Sequence, residues 1–174
     1  MKPRIALSLL LLIILSLGMK TIAQDTGDTL MPPIDVEETS CEETIEIINS
    51  KSSEFRAKEL GHIETYQILW LKLATIASTA DTLDYDTDVL YEDLDDLDDL
   101  INEFSDTYEI FHSNLLSTGN YACLTNQGAY AKAFAKTQTS LSDVKDSARA
   151  ITSFYNDQIR EDILSLEKAD DNGK

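Results

Sequence analysis

The chain has 174 residues, 43% of them apolar, with 32 acidic residues against 14 basic ones and a net charge of −18 at neutral pH. That balance repels nucleic acid and anionic membrane surfaces, and it suits cations or basic protein surfaces. With two cysteines and two histidines, and no Gly-rich phosphate loop, Gly-x-Ser-x-Gly elbow or His-Glu-x-x-His helix, the composition points away from an enzyme.

The first predicted element is a targeting segment. Lys2 and Arg4 precede an almost unbroken run of Leu, Ile, Ala and Ser over residues 5–18, and small residues end at Ala23. The pattern predicts a cleaved secretory signal over residues 1–23, because the apolar run is short for a bilayer span. An extracellular protein with no membrane insertion after cleavage is the expectation, and cleavage removes the positive charges of Lys2, Arg4 and Lys20. Residues 24–39 carry Gly27, Pro32 and Pro33 among acidic and small residues, and read as a flexible acidic leader.

Helical periodicity starts at Ser40, an N-cap residue followed three positions later by Glu43. Apolar or small residues then recur at alternating steps of four and three: Cys41, Ile45, Ile48, Ser52, Phe55, Glu59, His62, Tyr66, Leu69, Leu73, Ile76 and Ala80. The polar exceptions are Glu59 and His62, which Leu60 and Ile63 could replace by turning inward. Gly61 is the one weak point, and a break there would make four helices of three. Residues 82–88 form an acidic turn into a second helix with an unusually regular seam. Leu90, Leu94, Leu97, Ile101, Phe104, Tyr108, Phe111 and Leu115 keep one face against partner helices. Outside that seam lie Asp93, Asp95, Asp96, Asp98 and Asp99, an acidic face. Asp is a poorer helix former than Glu, and the six Asp of this helix together cost about 2 kcal/mol with no local structural gain.

Gly119 and Asn120 predict the stop of that helix. A third follows with Cys123 in its first turn and Tyr130, Phe134, Thr137, Leu141, Val144, Ala148, Ile151 and Tyr155 on one face. The phase then slips near the end, where Ile159, Ile163 and Leu166 continue the apolar face. Residues 169–174 read as a disordered polar tail. The fold class is therefore all-α: an elongated, antiparallel up-down-up bundle over residues 40–168. That topology brings Cys41 and Cys123 to one end without further assumption, so a single disulfide is predicted between them.

Three groups of residues are candidates for function. Asp84, Asp86 and Asp88 have the alternation of the first ligands in a calcium loop. Val89 stands where such a loop needs Gly, however, and Asp95 where it needs a bidentate Glu, leaving at most a weak calcium site. Pairing the helices about their turns sets Glu59, His62, Asn102, Lys136 and Thr137 at one height. They form a polar core layer that would fix register or line a small pocket. The acidic face is the third group. The reading these favour is a secreted, non-enzymatic bundle that binds a basic protein surface or a cation through that face, with no cofactor. The alternatives are an extracellular carrier of a small apolar ligand and a weak calcium binder. The apolar breadth of Ile68, Leu69, Trp70 and Leu71 adds self-association as an expectation.

Overall fold

The computed structural model describes residues 40–123 and 127–171, and all of its regular structure is helical. The expected signal and leader over residues 1–39 lie outside the described residues. Helix α1 spans Cys41–Thr82, α2 spans Asp88–Gly119 and α3 spans Gln127–Phe154. A π-helical turn, Tyr155–Ile159, joins α3 to α4, Arg160–Asp171. The last helix thus continues into the segment expected to be a disordered tail.

Helix α1 begins as its sequence dictates: the Ser40 hydroxyl oxygen accepts the Glu43 N–H at 3.2 Å. It runs through Gly61 without a break. A Cβ at Gly61 would meet nothing within 4 Å, so this residue lies on an open face and no neighbour forces a bend there. The four-helix alternative is therefore not adopted. At about 1.5 Å per residue, α1 is close to 63 Å long.

The turn after α1 is built around Asp84, which has φ 63°. The Asp84 N–H donates to the Asp81 carbonyl at 3.0 Å, and the Tyr85 N–H reaches back to the Ala80 carbonyl at 3.2 Å. These are the two bonds of a Schellman motif, with Asp84 in the left-handed position that glycine usually fills. Glycine there should stabilise the fold or leave it unchanged. We expect Asp84→Gly to shift unfolding by 0 to about +1 kcal/mol, and Asp84→Val to lose about 1–2 kcal/mol, in urea denaturation. Side-chain capping at the start of α2 is weak. Thr87 makes no side-chain cap bond, and Asp86 Oδ1 accepts from the Asp88 N–H at only 3.4 Å.

All eight seam residues of α2, from Leu90 to Leu115, are buried. Helix α2 packs against α1 on one flank and α3 on the other, and α3 continues through the π-turn against α4. Between α1 and α2 runs a ladder of edge-to-face rings. Phe55 meets Phe111 at 4.9 Å, Phe111 meets Tyr108 at 5.7 Å, Tyr108 meets Phe104 at 5.6 Å, and Phe104 meets Tyr66 at 5.3 Å. Such pairs add about 0.5–1.5 kcal/mol each beyond the area they bury. The π-turn explains the phase slip read in the sequence. It inserts one residue, so Tyr155, Ile159 and Ile163 stay buried at steps of four.

Cys41 and Cys123 are bridged, with Cα atoms 4.9 Å apart. Cys123 lies in the turn after α2 and not inside α3, which starts at Gln127. Gly119 closes α2 without a left-handed cap: Asn120 is right-handed, and its N–H bonds the Ser117 carbonyl at 3.1 Å.

Candidate functional site

The acidic run of α2 divides into two populations. Asp95, Asp96, Asp98 and Asp99 are exposed, as are Glu92 and Glu103. They occupy the helix surface away from the apolar seam, so a rigid, packed helix displays them on its outer and flanking sides. Asp93 does not belong to that face: it is 4% exposed, and its Oδ2 has no hydrogen-bond partner among the described residues. It points instead towards the π-turn and α4, where it meets Asp162. Gln158 Nε2 holds Asp162 Oδ2 at 2.9 Å. Burial first, then Asp162, then Asp96 push the Asp93 carboxyl up to about 6, while Gln158 acts in the opposite direction. Sequence reading placed Asp93 on the acidic face. The structure corrects that, because Asp93 stands one residue beside the seam position Leu94, on the flank that α4 covers.

The expected polar layer is not brought together. Glu59 is buried and takes a bond from Arg56 Nη1 at 2.8 Å, and the same guanidinium reaches Glu109 of α2. His62 is half-buried, 6.1 Å from the Phe104 ring and stacked near Tyr66. Leu60 stays outside at 61% exposure, so Glu59 does hold the inward position. Asn102 is exposed and donates to Asp98, and Lys136 is exposed too. Thr137 is fully buried near the cysteine end, 3.0 Å from the Thr118 hydroxyl of α2. Two further polar contacts between α1 and α2, like that of Arg56 with Glu109, are not signalled by the sequence pattern. One is Ser52 Oγ at 3.3 Å from the His112 ring, and the other is Trp70 Nε1 donating to the Leu94 carbonyl at 3.0 Å.

Asp84, Asp86 and Asp88 lie in the turn from α1 into α2, where Asp84 takes the left-handed position and Asp86 Oδ1 accepts from the Asp88 N–H. Among the described residues, no group of three or more His, Cys, Asp or Glu side chains is placed to hold a metal ion. Among them, too, no helix is long and apolar enough to cross a membrane. On α1, Leu60, Ile68 and Leu71 are exposed along the side opposite the core, while Trp70 is half-buried against α2. The Tyr66 hydroxyl is buried with no hydrogen-bond partner among the described residues, and burial pushes its pKa up to about 12.

Compared with protein-family models, curated proteins and solved structures, the chain matches none. What remains is the class that fold and surface define: an all-helical bundle, tied by one disulfide, with a strongly acidic middle helix.

Proposed function

We propose that this protein is a secreted, non-enzymatic bundle that binds a macromolecule with a basic surface through the outer face of α2. The observation that supports it is the display of Asp95, Asp96, Asp98 and Asp99 on a helix whose opposite face is wholly buried. Such a helix holds its charges in fixed positions, which favours fast, electrostatically steered association and selectivity for positive partners. The choice of Asp over Glu supports the same reading, since it sacrifices helix propensity. Secretion is supported by the basic and apolar segments at residues 2–18, and by a disulfide of the kind that persists in oxidising compartments.

The test is binding of a synthetic lysine-rich peptide. Affinity should fall about tenfold or more between roughly 50 and 500 mM salt. The triple substitution Asp95→Asn, Asp98→Asn and Asp99→Asn should weaken it about tenfold at low salt, with helicity unchanged. Neutralising Glu42, Glu43 and Glu46, which start α1, serves as the control for bulk charge. If both triple variants bind alike, the α2 face is not the binding surface.

A further inference from the structure

Asp93 has a situation that display on a surface does not explain. It is an acid 4% exposed, with one oxygen lacking a partner, facing a second acid from a different helix. The groups that act on it are Asp96 from its own helix, Gln158 from the π-turn and Asp162 from α4. Helix α1 meets this part of α2 through Trp70, bonded to the Leu94 carbonyl, and adds no charged group. Among the described residues, no lysine or arginine is one of the groups that act on Asp93.

Asp93 is buried and Asp162 half-buried, and a charge on Asp93 would face Asp162 with little water to screen the repulsion. One shared proton turns the repulsion into a short, charge-assisted O–H···O bond. A metal ion would need more ligands than the pair supplies, and no third carboxylate, histidine or cysteine completes such a group among the described residues. A proton is the occupant that these residues suit.

We propose that Asp93 is a proton-operated latch: protonated, it donates to Asp162 and clamps α4 to α2, and charged, it repels Asp162 and loosens α4. The rest of this end of the molecule is built accordingly. Helix α4 is short, and Ile163 is its buried anchor on the bundle. The π-turn sets its direction and supplies Gln158, which orients Asp162. The sign follows from burial and from the neighbouring acids, which raise Asp93 to about 6. Its contribution to α4 docking is complete below the ordinary carboxylate range and is lost as pH rises through that value.

Hydrogen exchange of the intact chain, read helix by helix and corrected for intrinsic rates, tests this. From about pH 4.5 to about pH 7.5, protection of α4 should fall by up to about 100-fold, while the amides around Phe104 keep theirs. Asp93→Asn should abolish the fall, because the amide donates to Asp162 at every pH. Asp162→Asn should do the same from the other side, which covers the case of one variant failing to fold. Asp95→Asn, on the exposed face, should leave the fall intact. The latch is overturned if both neutral variants keep the wild-type pH response. It is also overturned if millimolar Ca²⁺ restores α4 protection at the higher pH, since the occupant would then be a cation.

Discussion

Removing the disulfide, by Cys41→Ala together with Cys123→Ala, is expected to lower the free energy of unfolding by about 4–5 kcal/mol. The bridge joins residues 82 positions apart, so its loss frees a very long stretch of the unfolded chain. Its place at the bundle end matters as well. The start of α1 and the turn after α2 have no other covalent tie, and both sit where helix ends fray. Urea unfolding followed by circular dichroism measures the loss, and reduction of the native protein should produce nearly the same shift. A loss under about 1 kcal/mol would mean that the unfolded chain already keeps these two ends together.

The second large effect is expected at the centre of the ring ladder. Phe104 is 1% exposed and touches the rings of Tyr66, Tyr108 and His62. Phe104→Ala removes its apolar area and leaves a cavity between two long, stiff helices that cannot easily close it. The expected cost is about 3–5 kcal/mol. Leu116, on the same helix but 43% exposed, provides the contrast, and its change to Ala should stay within about 0.5 kcal/mol. Equal losses at the two sites, measured by thermal and urea unfolding, would contradict the core described above.

The seam of α2 was legible because alternating steps of four and three specify a helix face directly, and all eight of its residues are buried. The bridge followed from topology, and the slipped phase near residue 155 corresponds to the π-turn. The polar layer was misread for a reason of arithmetic. The contacts of Trp70 with Leu94 and of Arg56 with Glu109 centre the α1–α2 pair near Thr82, as expected. For α2 and α3 the expected centre was Gly119, but Thr118 pairs with Thr137 and Asp93 with Asp162, both centred close to Gln127. The register of α3 along α2 is therefore shifted from the expected one. That shift moves each facing partner along α2, and Thr137 ends beside Thr118, far from Asn102. Asp93 was missed through the same non-local effect. A residue beside a seam is buried or exposed according to what lies on its flank, and here that is α4, redirected by the π-turn. The left-handed closure of α1 at Asp84 has no signature in the sequence, because an aspartate there carries none of the cue that glycine would give.

The bridge between Cys41 and Cys123 has one more consequence, for connectivity. It closes a covalent ring that contains all of α1, its turn and all of α2, and leaves α3, the π-turn and α4 as a tail outside it. The two parts therefore differ in what opening means. The ringed hairpin cannot separate at its cysteine end while the bridge is intact, and the tail can peel from its far end with no bond broken. Asp162 and Ile163 lie on the part that peels, and Asp93 lies on the part that stays.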